Sequence, residues 1–261
     1  MIVVGLGPGR AGTSFFFNLV KELEIVDTSI IKETFHFDKT HCLKEYNKFF
    51  SGKEDIRFEI SNRYIFHNKA LKNISIANKV EKTIPLFFKR DESERLLSVV
   101  DYERRRGLSQ KKIYISVSQR IMENEFNNQF LLKNFKEVTQ GMSIYIIETE
   151  SMKNINYLKK IINDIFNINV ELNDLRKAIL KIDNNKKIIA RNKLVGRLAS
   201  KTAVLLRKFE IFYILSSLKK NKIIKQIFFK EVESNFSDEL YLKLERVRER
   251  ELIRYNNNNI Q

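Results

Sequence analysis

The sequence predicts an α/β fold in which helices cover both faces of a central parallel sheet, a three-layer α/β/α arrangement. Over about the first 170 residues, short apolar segments typical of strands alternate with amphipathic segments typical of helices. Beyond about residue 175 the pattern changes to helices without strands. We therefore expect a single domain over 1–255, with a core at 1–175, a helical, basic extension at 176–255 and a frayed tail at 256–261.

The predicted strands are short and mostly apolar, as expected for a parallel sheet buried on both faces. In chain order they are Ile2–Val4, a segment around Ile30 and Ile31, Arg57–Ile60, Thr83–Lys89 and Ser143–Glu148.

The predicted helices have apolar residues at helical spacing and recognisable ends. The helix over Asp91–Arg106 ends at Gly107, the residue type most common just beyond a helix C-terminus. In chain order the helices are Thr13–Leu23, a polar one through His41–Phe50, Asp91–Arg106 and Asn154–Phe166.

The composition describes a basic globular protein. The 261 residues are 43% hydrophobic, too many for a disordered chain, and carry a formal net charge of +16. Such a charge implies an anionic partner: a nucleotide, a polyanionic glycan, a nucleic acid or a membrane surface. Cys42 is the single cysteine, which excludes an internal disulfide. We expect a cytoplasmic protein, because we find no signal peptide and no apolar run long enough to span a bilayer.

Residues 191–230 concentrate the positive charge, with eleven Lys and Arg residues against one acid, Glu210. Apolar residues are interleaved with the basic ones, and we favour a solvated face on packed helices. The alternative is a binding surface for an anionic glycan or, by peripheral contact, a membrane. No recognised nucleic-acid-binding module is present, so we expect no specific nucleic-acid partner.

A glycine-rich loop between the first strand and the first helix predicts an anion site, because backbone N–H groups and the helix dipole converge there. Gly7, Gly9 and Gly12 fit a dinucleotide-binding fingerprint, with Glu33 about twenty residues further on. Gly7 and Gly12 also have the spacing of a nucleoside-triphosphate P-loop. Thr13, however, stands where that loop requires lysine, which argues against ATP chemistry.

In a third motif, the positively charged residue lies within the loop instead of at its end. Arg10-Ala11-Gly12-Thr13-Ser14 resembles the Arg/Lys-x-Gly-Thr-Thr/Ser loop of sulfotransferases that use 3′-phosphoadenosine 5′-phosphosulfate. The resemblance implies a P-loop-NTPase-like sulfotransferase fold and no requirement for metal. It also implies a site for the 5′-phosphosulfate made by Gly9, Arg10, Ala11, Gly12, Thr13 and Ser14, with Arg10 neutralising the bridging oxygen.

A second block lies at the end of the Thr83–Lys89 strand. Arg90, followed eight positions later by Ser98, resembles the pair that binds the 3′-phosphate of the donor in that family. Glu92 replaces the proline usual in this block. The resemblance extends over most of residues 2–170.

Two further segments resemble carbohydrate sulfotransferases of the heparan-sulfate type. Lys32–Asp38 is similar to their Lys-Glu-x-x-Phe-Phe-Asp stretch, which implies Glu33 as catalytic base and Lys32 and Asp38 as acceptor contacts. His36 replaces one phenylalanine and is the rival base, because an ordinary histidine titrates near neutrality. Phe58–Ile65 is similar to Phe-Glu-Lys-Ser/Thr-Pro-x-Tyr, which implies an acceptor contact at Glu59.

These resemblances predict in-line transfer of a sulfuryl group from 3′-phosphoadenosine 5′-phosphosulfate to an acceptor hydroxyl on a carbohydrate. Two alternatives stay open at this point. One is a nucleotide (ATP) kinase-like P-loop enzyme, and the other is a non-enzymatic, basic polyanion-binding protein.

Overall fold

The structure is a computed structural model that describes residues 1–183, 188–190, 202, 229–231 and 238–258. The chain divides into two compact units. The sheet unit comprises residues 1–90 and 129–185, and the helical unit comprises residues 91–128 and 186–261. The predicted basic segment at 191–230 lies outside the described residues, apart from 202, 229 and 230.

The sheet unit contains a five-stranded parallel sheet, which confirms the predicted fold class. The strand order is β2-β3-β1-β4-β5. β2 and β3 therefore lie on one side of β1, and β4 and β5 lie on the other, so the strand order reverses at β1. The strands are β1 (Ile2–Gly7), β2 (Asp27–Thr28), β3 (Arg57–Ile60), β4 (Thr83–Lys89) and β5 (Tyr145–Glu148).

The first helix of the described residues is α1, which a loop of five residues joins to β1. Short 3₁₀ helices occupy Asn47–Phe49, Tyr64–Phe66 and Glu150–Lys153. The α-helices are α1 (Thr13–Leu23), α2 (His36–Lys39), α3 (Leu43–Tyr46), α4 (Asn68–Val80), α5 (Glu92–Arg105), α6 (Gln110–Met122), α7 (Asn128–Val138), α8 (Ile155–Phe166), α9 (Leu172–Asp183) and α10 (Asp238–Asn258).

Two hydrophobic cores hold the layers of the sheet unit together. Successive residues of a strand point to opposite faces, and β1 supplies Val3 to one core and Ile2 and Val4 to the other. The first core packs α1, α8 and α9 on the sheet, and the second packs α2, α3, α4 and α7. The sheet is therefore covered on both faces, as the apolar strands predict.

The helical unit has a core of its own, formed by residues from α5, α6 and α10 such as Val100, Val117 and Leu244. It also contains an antiparallel pair, β6 (Ile188–Ala190) and β7 (Phe229–Glu231). The expectation of helices without strands beyond residue 175 is therefore wrong. Two short strands form there by pairing with each other, although their first residues, Ile188 and Phe229, are 41 positions apart in the chain.

The unit boundaries differ from the division predicted at residue 175. Residues 91–128, placed in the core by the sequence, belong to the helical unit because α5 and α6 pack with α10. At the other end, α10 continues to Asn258, so the predicted frayed tail is helical over its first three residues.

Candidate functional site

The carboxyl ends of the parallel strands meet at one edge of the sheet, where α/β proteins bind their ligands. The point where the strand order reverses, beside β1, is the usual position for such a site. The loops that leave β1 and β2 at this edge carry the predicted residues of the β1–α1 loop and of 32–38, and Glu59 lies near the end of β3. Arg90 follows β4 directly, and Thr149 follows β5.

The β1–α1 loop ends at Gly12, which has a left-handed backbone with φ of +74°. The first backbone bond of α1 runs from the Phe16 N–H to the Gly12 carbonyl, over 3.1 Å. Within the described residues, no side chain caps this helix. The N–H groups of its first turn, together with the positive end of its dipole, therefore form a site suited to an anion.

Side chains from the ends of β4 and β5 fix this loop. The Nη1 of Arg90 donates a hydrogen bond to the Arg10 carbonyl over 2.8 Å. The Thr149 hydroxyl donates to the next carbonyl, that of Ala11, over 3.0 Å. Arg90 therefore brings its guanidinium charge to the loop that carries Arg10, a contact between residues 80 positions apart.

The predicted residues of the loop differ in exposure. Gly9, Arg10 and Gly12 are half-buried, Ala11 is buried and Ser14 is exposed. Thr13 is only 3% exposed, so a buried hydroxyl occupies the position of the P-loop lysine. Ser98 lies half-buried on α5 in the helical unit, whereas Arg90 belongs to the sheet unit, and the predicted pairing of these two residues stays a prediction.

A buried carboxylate, that of Glu59, lies in β3 beside this edge. Its side chain has no exposed surface. It accepts hydrogen bonds from the Thr34 hydroxyl at 2.6 Å, the Ser61 hydroxyl at 2.9 Å and the Tyr64 hydroxyl at 3.0 Å. Burial raises the pKa of Glu59 to about 7, although these hydrogen bonds act in the opposite direction. The predicted acceptor contact at Glu59 would require exposure that this carboxylate does not have.

The segment after β2 holds Glu33 and Lys32, both half-buried. The Lys32 Nζ lies 3.5 Å from Glu33 Oε1, with about a fifth of each side chain exposed. Thr34, the next residue, is anchored to Glu59. The main chain of Glu33 is thereby held where β2 and β3 end, and solvent reaches its carboxylate.

His36, the rival base, has a different environment. Its ring is 4% exposed and packs against Phe37, Tyr46 and Phe49. Burial lowers the pKa of His36 to about 4, opposed by a backbone hydrogen bond involving Cys42. The ring is therefore neutral at physiological pH and enclosed by aromatic side chains.

Asp38 has a partner that the sequence does not predict. Its Oδ1 lies 3.0 Å from Nδ1 of His67, and Nε2 of His67 lies 3.1 Å from Nη2 of Arg63. A guanidinium only donates, so Nε2 accepts and Nδ1–H donates to Asp38. This arrangement holds the His67 ring between Asp38 and the exposed Arg63.

A solved structure shares this architecture. It is described as a sulfotransferase from Alicyclobacillus acidocaldarius, and it matches 69% of this chain and 90% of its own with a TM-score of 0.51. This chain has a sulfotransferase fold. The two sequences are 14% identical, so the likeness establishes architecture, and the chemistry is argued from the residues. No protein-family model matches the sequence, and no curated protein does.

Within this sulfotransferase fold, the structure brings Arg10 and Arg90 together and holds Glu33 at the same sheet edge. The contacts of Thr149 and of the three hydroxyls around Glu59 are ones that the sequence does not predict. The signal for Ser61 and Tyr64 was present, since both lie in the Phe58–Ile65 stretch, but the sequence alone does not pair them with Glu59. Across the described ranges, no three His, Cys, Asp or Glu side chains cluster as a metal site. Nor does any helix there have the length and apolar character needed to cross a membrane.

Proposed function

We propose that this protein is a sulfotransferase that moves a sulfuryl group from 3′-phosphoadenosine 5′-phosphosulfate to a carbohydrate hydroxyl. The observation that carries the proposal is the β1–α1 loop. It contains Arg10, accepts a hydrogen bond from Arg90 and opens a helix at the edge of a sheet with a sulfotransferase fold.

The residues at this edge fit a phosphosulfate group. Gly12 leaves the start of α1 uncapped by a side chain within the described part of the chain, so backbone N–H groups are available to oxygens of an anion. Arg10 is half-buried in the same loop, where a guanidinium suits phosphate and sulfate oxygens. The buried Thr13 argues against the ATP alternative, which needs a lysine there.

The donor supplies the sulfuryl group: its sulfur–oxygen bond to phosphate breaks as a bond from sulfur to the acceptor oxygen forms. Arg10 and the N–H groups of Gly12, Thr13 and Ser14 stabilise the negative charge that develops on the departing phosphate oxygen. Glu33 takes the proton of the acceptor hydroxyl. Its partly exposed side chain supports this role better than the enclosed, neutral ring of His36.

The acceptor is assigned to carbohydrates from the resemblance at Lys32–Asp38. Lys32 and Asp38 remain our candidates for acceptor contacts; both are half-buried, and Lys32 lies 3.5 Å from Glu33. The exposed Arg63, held by His67, lies next to Asn62 at the end of β3 and widens the polar surface available to a glycan.

Mass spectrometry of acceptors incubated with the donor tests the proposal. Neutral glycans, acidic glycans, tyrosyl peptides and small alcohols are compared, and we expect a sulfuryl group to be gained by a glycan. Glu33→Gln should lower the rate on the order of 100-fold or more while the chain still binds the donor product, adenosine 3′,5′-bisphosphate. Failure of every acceptor class to gain a sulfuryl group would contradict the proposed transfer.

A matched pair of variants tests the role of Arg90. Arg90→Ala removes the bond to the Arg10 carbonyl, so we expect weaker binding of adenosine 3′,5′-bisphosphate by roughly 10-fold or more and a lower transfer rate. Lys89→Ala removes the same charge from the adjacent position, where the exposed lysine pairs with Glu148 at 3.0 Å. Equal losses in both variants would mean that net charge alone, and not the contact to the loop, supports binding.

A further inference from the structure

The three hydroxyls around Glu59 each make a second hydrogen bond, to the main chain of residues 35–37. The N–H of Phe35 donates to the Ser61 hydroxyl over 3.1 Å, that of His36 to the Thr34 hydroxyl over 3.2 Å, and that of Phe37 to the Tyr64 hydroxyl over 3.2 Å. Three consecutive N–H groups at the start of α2 thus bind three hydroxyls that all donate to one carboxylate.

The direction of these bonds follows from the single proton of each hydroxyl. When Glu59 is ionised it only accepts, so Thr34, Ser61 and Tyr64 then each direct that proton to Glu59. Their oxygens are then left as acceptors for the N–H groups of residues 35–37. Burial strengthens the arrangement, because the Glu59, Ser61 and Tyr64 side chains have no exposed surface and Thr34 has 6%.

The network is tied to the rest of the sheet edge. Glu59 pairs in register with Val4 of β1, and the Ser61 N–H donates to the Gly5 carbonyl over 3.0 Å. Thr34 directly follows Glu33, so the residue proposed as base is attached to the part of the loop that this network holds. A displacement of about 1 Å in such a residue is enough to slow a reaction on the order of 100-fold.

We propose that Glu59, through Thr34, Ser61 and Tyr64, is the positioning residue that fixes residues 34–37 at the sheet edge and so sets where Glu33 meets the acceptor hydroxyl. The part of this inference that concerns Glu33 rests on the proposed sulfotransferase function. Glu59 itself touches neither donor nor acceptor, because it is enclosed.

Two substitutions of Thr34 separate positioning from packing. Thr34→Val keeps the shape of the side chain and removes the hydroxyl, whereas Thr34→Ser keeps the hydroxyl and removes a methyl group. Positioning predicts faster hydrogen exchange at the amides of residues 35–37 and a kcat lowered on the order of 10- to 100-fold in Thr34→Val, with Thr34→Ser close to the wild type. Affinity for adenosine 3′,5′-bisphosphate should be unchanged in both.

A second pair of variants, in which a tyrosine is replaced by phenylalanine, tests the positioning role even if Thr34→Val fails to fold. Tyr64→Phe removes a hydroxyl of the network, and Tyr46→Phe removes one that has no hydrogen-bond partner among the described residues. Both tyrosines are fully buried. We expect faster exchange at residues 35–37 and a lower kcat in Tyr64→Phe only.

Three results would overturn the proposal: unchanged exchange at residues 35–37 in the hydroxyl-free variants, a Thr34→Ser variant more impaired than Thr34→Val, or equal effects of the two tyrosine substitutions. A wild-type chain that transfers no sulfuryl group would overturn the proposed function and with it the role of Glu33. The exchange measurements need no donor or acceptor, so they would still support or overturn the fixing of residues 34–37.

Discussion

The buried side chain of Glu59 makes the folding stability of the protein depend on pH. Its pKa is raised to about 7 by burial, against 4.5 for an ordinary glutamate. Between these two values the folded chain holds a proton that the unfolded chain has lost. The contribution of this group to folding stability therefore falls as the pH rises from 4.5 to 7, and it is constant above that interval.

Replacement of Glu59 by glutamine removes this titration. We expect the free energy of unfolding of the wild type, measured relative to Glu59→Gln, to fall by on the order of 1–3 kcal/mol as the pH rises across this interval. Urea denaturation of both chains at several pH values measures the difference. A difference that stays constant or grows with pH would contradict the assignment of a buried, titrating Glu59.

The individual residues of the site were predictable where a local motif follows a strand. Arg10 lies in the loop after β1 and Arg90 directly follows β4, so motifs and strand predictions place both at one edge. The bonds from Thr34 to Glu59 and from Asp38 to His67 join residues 25 and 29 positions apart. No local pattern specifies such contacts, since they arise only when β2 and β3 pair.

The secondary-structure elements were predicted best where apolar runs are continuous. The bounds predicted for β3, β4 and α1 are those observed. β2, however, lies at Asp27–Thr28 rather than around Ile30, because the buried Asp27 is held by the main chain of Ser51 and Gly52. The sequence pattern does not predict α2, α4, α6 and α7, whose helical character depends on packing against the sheet or against other helices.

The β1–α1 loop depends on the absence of a side chain at Gly12. A Cβ there would lie 2.3 Å from the Met152 methyl group and 3.1 Å from a Thr149 methyl group. Gly52 has nearly the same φ, +75°, but nothing lies within 4 Å of its Cβ position. The two glycines therefore share the cost of a left-handed backbone and differ in steric contact.

Replacement of each glycine by alanine separates the cost of the left-handed backbone from the cost of the steric contact. Gly52→Ala should lower the free energy of unfolding by about 1 kcal/mol, the cost of a left-handed alanine. Gly12→Ala should lower it further and weaken binding of adenosine 3′,5′-bisphosphate, because Met152 or the loop must move. Thermal or urea unfolding and a nucleotide titration of both variants provide the comparison. Equal stabilities with full nucleotide binding would show that the loop tolerates a side chain at Gly12.

The order of the strands in the sheet explains how motifs that are distant in sequence meet. Because all five strands are parallel and β1 is central, segments after β1, β2, β3, β4 and β5 emerge at one edge. The fold class followed from the alternation of strands and helices. The assignment of residues 91–128 to the helical unit did not follow from that alternation, because it depends on the distant α10, which packs on α5 and α6.

We propose that the β1–α1 loop binds 3′-phosphoadenosine 5′-phosphosulfate through Arg10. Calorimetric titration of the full chain with adenosine 3′,5′-bisphosphate, ATP and NAD, in the wild type and in Arg10→Ala, tests this claim. We predict that the bisphosphate binds the wild type more tightly than ATP or NAD, and that Arg10→Ala weakens its binding on the order of 10-fold or more. Tighter binding of ATP or NAD, or an unchanged affinity for the bisphosphate in Arg10→Ala, would contradict the claim.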